Sequence, residues 1–185
     1  MASFTGAIQA RRHPRRTTCQ DGPVPNDPQQ PVTEKVVVGW REWVALPQAD
    51  VDWVKAKIDT GARSSSIHAF GLEAYEQDGA EWVRFSIHPW QRSDEDHVEL
   101  SLPVLDRREV RSSNGLTEQR YAVAMDVRLA KRTITTVMTL SNRDEMGFRM
   151  LIGREALERG FLVDSALSYA GGKPKRAVRR KNWGK

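Results

Sequence analysis

From Glu34 onward, apolar and polar residues alternate with a period of two far more often than with the helical period, and this spacing predicts strands. Val36, Val37 and Val38 open the first, which continues through Trp40 to Leu46. In the next, Val51 to Ile58, Val54, Ala56 and Ile58 alternate with Lys55 and Lys57, giving one buried and one wet face. Further strands are expected over Ser65–Phe70, Glu81–His88 after an Asp78-Gly79 turn, His97–Val104 and Arg108–Ser112. Asn114-Gly115 is a two-residue hairpin signal between Glu109–Ser113 and Glu118–Leu129, because both residues accept the positive φ of a type I′ turn. Thr133–Leu140 follows through Ala130-Lys131, and only Glu155–Arg159 and Leu72–Tyr75 read as helical. Many short strands at close spacing imply a mostly-β barrel.

Residues 21–32 hold four prolines and little that a core could bury, so they read as an extended linker. The expected organisation is a disordered basic arm and linker over 1–33, one folded domain over 34–170, and a disordered basic tail over 171–185. The net charge of +5 resides in the ends: residues 171–185 carry seven Lys and Arg and no acid, and residues 1–33 carry four Arg against Asp21 and Asp27, leaving −4 for residues 34–170. No aromatic alternates with the N-terminal arginines and Trp183 is the only one in the C-terminal run, so no stacking surface for bases is indicated and nucleic acid is expected only as a weak contact. The lone Cys19 excludes a disulfide framework and suits a reducing compartment. No run of 18 apolar residues occurs, and no apolar stretch follows the N-terminal arginines as a secretory signal requires. The expected location is the cytoplasm, with no membrane contact.

Lys57-Ile58-Asp59-Thr60-Gly61-Ala62 carries the clearest chemistry. A carboxylate leaving the end of a strand, a hydroxyl able to lock the loop, and a glycine permitting a tight turn are what a catalytic aspartate needs. The alternative is a plain strand end followed by a turn. The motif occurs once, so a carboxylate dyad sharing one proton requires a second chain across a two-fold axis.

In order, Ile58-Asp59-Thr60-Gly61-Ala62, a hairpin tip at Ser112-Ser113-Asn114-Gly115, two strands, and Leu151-Ile152-Gly153-Arg154 before Glu155-Ala156-Leu157 resemble the retropepsin-like aspartic peptidases. Ile58–Ala69, Asn142-Arg143-Asp144, Met150–Leu157 and Phe161-Leu162-Val163-Asp164 are most similar to a bacterial branch labelled ATP-dependent zinc proteases. The resemblance covers about residues 35–169. It implies a closed acid-protease barrel with one short C-terminal helix, a homodimer, and a peptide or protein substrate. Asp59 would be catalytic and Thr60, Gly61 and Ala62 would form the active-site loop; the candidate substrate contacts are Ser64, His68, Asn114, Gly115 and Arg154, with Arg63 and Arg143 added on their charge as binders of an acidic peptide. Members of this branch are associated with ATP-grasp ligases that add glutamates to proteins, which hints at an amide hydrolase acting on acidic tails.

The chain departs from that pattern in two ways. The branch label implies zinc and ATP, but there is no His-Glu-x-x-His pair, cysteine cluster or Gly-Lys-Ser/Thr loop, so no cofactor is assigned and no metal ligand named. His68 could be a ligand or could order a loop; His88 and His97 flank Asp94-Glu95-Asp96, which could hold a cation or simply be solvated. Retroviral members carry an acid two places after the glycine, where this chain has Arg63. Arg63 beside Arg154 needs an internal acid, Glu155 or Asp144, or an acidic ligand to offset the repulsion. Trp40, Trp43, Trp53, Trp82 and Trp90 would serve core, dimer interface or substrate lining. Two further functions stay open: a catalytically silent module binding acidic peptides, and an RNA- or ribosome-associated protein acting through its tails.

Overall fold

The computed structural model describes residues 34–111, 117–143 and 147–183. Within them lie eleven strands: β1 Val36–Gly39, β2 Arg41–Leu46, β3 Val51–Ile58, β4 Ser65–His68, β5 Phe70–Gln77, β6 Ala80–Ile87, β7 Val98–Arg111, β8 Thr117–Leu129, β9 Arg132–Ser141, β10 Met150–Ile152 and β11 Phe161–Asp164. Helical turns α1 Arg154–Leu157 and α2 Arg176–Arg179 follow β10 and β11. The protein is mostly β, as its hydrophobic pattern requires.

Nine strands form a sheet in the order β2-β3-β10-β4-β9-β8-β7-β6-β5. Pairing of β2 with β8, at Val44 with Leu129 and Ala45 with Arg128, joins the first six strands into a ring. The even positions of β3 (Val54, Ala56, Ile58) turn inward with Val44, Leu46, Met125, Val127, Leu129, Met138, Leu140, Met150 and Ile152, all 5% exposed or less. Burying each large side chain stabilises the ring by about 1.5–3 kcal/mol before conformational entropy is counted. β7 and β8 continue outward as a long antiparallel ladder from Val104↔Val123 to Arg111↔Thr117. The Asn114-Gly115 turn proposed to join them lies outside the described residues.

The expected helix at Leu72–Tyr75 is instead part of β5, paired with β6 from Gln77↔Ala80 back to Glu73↔Arg84. Its residues favour a helix locally, but Asp78 (φ 53°) and Gly79 (φ 74°) form a two-residue turn of the primed kind, which folds the segment back as a hairpin. β1 and β11 make a separate two-stranded parallel sheet, Val36↔Phe161 to Gly39↔Asp164.

The basic segment expected as a disordered tail holds α2 and a 3₁₀ turn over Arg180–Trp183. It is anchored from outside itself: Asn182 is buried and accepts from Gln91 N (3.0 Å), and Lys181 Nζ pairs with Asp96 (3.1 Å). Upstream, the fully buried Glu42 accepts from the backbone N–H of Gly39 (2.6 Å), Ala170 (2.8 Å) and Gly171 (3.1 Å), tying this strap to β2.

Candidate active site

A parallel strand pairing creates the site. β3 runs beside β10 with Ile58 opposite Ile152, so the residue after each strand emerges at the same edge. Asp59 N donates to Ile152 O (2.9 Å), and the chain then turns around the carboxylate. Asp59 Oδ1 accepts from Gly61 N (3.0 Å) and Ala62 N (3.1 Å), while Oδ2 meets Lys57 Nζ at 3.0 Å. Partial burial raises the Asp59 pKa, but the Lys57 and backbone hydrogen bonds outweigh it and hold the carboxyl below the usual aspartate range. Lys57 was not among the expected site residues. Its position two before Asp59, on the same wet face of β3, was the available signal.

The Asp59 loop is clamped against the Gly-Arg turn. Gly153 N donates to Ser65 Oγ (3.1 Å), Arg154 N to Ala62 O (2.9 Å) and Glu155 N to Arg63 O (3.1 Å). A Cβ at Gly153 would lie 2.6 Å from the Ser64 carbonyl carbon and oxygen, so only glycine permits this approach. Ser64 therefore contributes backbone to the clamp. Thr60 is exposed, and its hydroxyl makes no hydrogen bond among the described residues; the loop is locked by the Asp59 carboxylate, and Arg154 Nη1 reaches the Thr60 carbonyl at 3.4 Å.

Arg63 finds its acid internally. Its Nε lies 2.9 Å from Glu155 Oε1, and the other Glu155 oxygen faces Arg108 Nη1 at 3.6 Å, so one carboxylate links the Asp59 loop, α1 and the stem of the β7–β8 hairpin. His68 is buried and its Nδ1 accepts from Arg143 N (2.9 Å), which fixes the ring as the Nε2–H tautomer. Arg143 Nε donates to Phe148 O (3.3 Å). Burial, then Arg120, lowers the Arg143 pKa, while the charge of Asp59 opposes them, which places this guanidinium in the field of the carboxylate. Asn114, Gly115 and Asp144 lie outside the described residues.

The ligands a zinc ion needs do not come together: among the described residues no three His, Cys, Asp or Glu converge, and His68 Nδ1 is already an acceptor. In the acidic loop Asp94 and Asp96 are engaged with internal partners. Asp94 pairs with Arg149 (2.6 Å), and Asp96 accepts from Trp90 Nε1 (3.0 Å) and Lys181. Of the tryptophans, Trp43 and Trp90 are buried, and Trp43 packs on Trp53, Trp90 and Tyr169 at centroid distances of 6.5, 6.2 and 6.2 Å. No helix among the described residues is long and apolar enough to cross a membrane.

Comparison with known proteins agrees with this architecture. A family described as retropepsin-like aspartic endopeptidase RimB matches residues 37–174. A protein of Shewanella pealeana named probable alpha-L-glutamate ligase is 42% identical over 135 residues, covering 73% of this chain and 30% of that protein. One of the same name from Desulfotalea psychrophila is 40% identical over 136 residues, 74% of this chain and 29% of that protein. The chain thus spans under a third of these curated relatives. A crystal structure of a Legionella pneumophila protein of unknown function superposes with a TM-score of 0.64 at 23% identity, covering 74% of this chain and 98% of that one, which supports the fold.

Proposed function

The chain belongs to the RimB-like family of retropepsin-like aspartic endopeptidases, and from that premise we propose that it hydrolyses amide bonds in glutamate-rich peptides through a dyad of Asp59 residues from two subunits. The observation that carries this reading is the Asp59 carboxylate itself, at a strand end, held by two backbone N–H groups and Lys57 on an exposed loop. One such carboxylate supplies a base and no acid. Two brought within about 3 Å share a proton, because both cannot ionise readily at that distance. The ionised partner then takes a proton from water as the water oxygen attacks the amide carbon, and the protonated partner donates to the carbonyl oxygen. Collapse of the tetrahedral diol breaks the C–N bond, with a carboxyl proton passing to the leaving nitrogen. Lys57 offsets the charge of the pair.

A second copy has a candidate seat on the β1–β11 sheet, where the register partners Val37 and Leu162 are 47% and 50% exposed. The acidic preference draws on the cations around Asp59: Lys57, Arg143 and Arg154 are nearby, and Arg63 and Arg108 share Glu155, with Asp106 as the second acid beside Arg108. The name carried by the longer relatives points to glutamate chemistry as well. Hydrolysis is preferred to ligation because the matching family is one of endopeptidases.

The Lys57 ion pair favours one rival, a silent module whose aspartate stays ionised and only binds. Incubating wild type and Asp59→Asn with oligoglutamate and neutral peptides of equal length, and reading products by mass spectrometry, separates these. Shortened glutamate products from the wild type alone are expected. Binding without cleavage selects the silent module, and equal cleavage of neutral peptides removes the acidic preference.

A further inference from the structure

Beyond Asp59, the wet face of β3 continues as a line of positive charge. Lys55, Lys57 and Asp59 occupy alternate positions, so their side chains share one face. At roughly 3.3 Å per residue, Lys55 lies about 13 Å from Asp59 along the strand. Across the ladder, Arg41 stands opposite Lys57 and Trp43 opposite Lys55. At the Lys55 end the surface opens into a trough of about 720 Å³ lined by Trp43, Lys55, Tyr169, Asn182 and the C-terminal cations Lys173, Arg176, Arg179 and Arg180.

Five of these lining groups are cationic and none is acidic. Among the described residues, Lys55, Lys173, Arg176, Arg179 and Arg180 form no ion pair with a carboxylate, whereas the adjacent Lys181 is paired with Asp96. Burial first, then the positive charges of Arg41 and Arg92, hold the Lys55 pKa below the ordinary lysine range. The cations are held in place because Asn182 and the Glu42 bracket fix the strap that carries them. A concave site of one sign concentrates counter-charge.

We propose that this trough is a second binding site, taking the carboxylates of an acidic peptide whose cleaved bond lies at Asp59. The identity of the ligand rests on the acidic-peptide function proposed above. An extended chain covers the 13 Å in about four residues, so the trough would select runs of acids longer than the catalytic cleft alone can read. Carboxylates fit better than bases. Tyr169 is stacked on Trp43, and the Arg41 and Lys173 charges lie 4.9 and 5.1 Å from its ring centroid, so its faces are already occupied.

The test uses the full chain as Asp59→Asn, binding a fluorescent oligoglutamate of about ten residues by anisotropy. Adding Arg176→Glu and Arg179→Glu should weaken binding by roughly tenfold, given up to about fivefold per exposed pair, and the loss should shrink in high salt. A control with Arg128→Glu and Lys131→Glu, which alters net charge equally at residues that do not line the trough, should bind as the parent does. Unchanged denaturation midpoints confirm that both variants are folded. Equal binding by parent and Arg176/Arg179 variant overturns the proposal, as does equal loss in the control, or tighter binding of an oligouridylate of matched charge, which would assign the trough to RNA. Should wild type hydrolyse nothing, the Asp59 chemistry falls while the binding comparison still decides the trough.

Discussion

Glu42→Ala tests the link that orders the C-terminal strap. The carboxylate is fully buried, has no cationic partner among the described residues, and accepts from three backbone N–H groups at 2.6–3.1 Å. Charge-assisted hydrogen bonds contribute about 1.5–3 kcal/mol each, but the three share one group and water would reach part of the gap, so their sum overstates the loss. A loss of about 3–5 kcal/mol is expected, a large part of a total stability of about 5–15 kcal/mol. For a chain of this size that lowers the thermal midpoint by roughly 10 °C. Urea denaturation gives the magnitude. Hydrogen exchange should show lost protection at Gly39, Ala170 and Gly171 before other amides, because the strap detaches locally. Glu42→Gln keeps one carbonyl acceptor and should cost about half as much. A Glu42→Ala protein within about 0.5 kcal/mol of wild type, with those amides still protected, would refute the reasoning.

Gly153→Ala drives a methyl into the Ser64 and Arg63 carbonyls and should cost about 1–3 kcal/mol while lowering hydrolysis, measured by denaturation and turnover together. Lys57→Met removes the Asp59 ion pair. Because Asp59 is lowered in the folded state, its stabilisation is complete above the unfolded aspartate pKa, about 3.9, and lost as pH falls through the folded value. The wild-type advantage over Lys57→Met, below about 1 kcal/mol for so exposed a pair, should therefore appear in urea titrations at neutral pH and vanish in strong acid. Leu162→Asp places a charge on the exposed β1–β11 face and should shift mass measurements towards monomer without unfolding the subunit.

The pattern of β3 and the two glycine motifs was legible because a period of two and a residue without Cβ act locally. What brings Asp59 to Gly153 is a parallel pairing across some 90 residues, which periodicity cannot specify; the resemblance supplied it. β5 was misread because Leu72-Glu73-Ala74-Tyr75 favour a helix until the Asp78-Gly79 turn commits them to β6. Glu42 gave no signal, since a buried carboxylate satisfied by distant backbone looks like any surface acid in sequence. The C-terminal segment read as a tail because its few apolar residues cannot fold it alone; its anchors, Asn182 and Lys181, find partners at Gln91 and Asp96.

The central claim is that one active site needs Asp59 from two subunits, and subunit mixing tests it directly. Wild type is exchanged with increasing proportions of Asp59→Asn at constant total protein, and hydrolysis of a glutamate-rich peptide is followed. A shared dyad predicts activity falling as the square of the wild-type fraction, to about one quarter at equal mixing. A linear fall, to about one half, would mean that each chain works alone and would contradict the account.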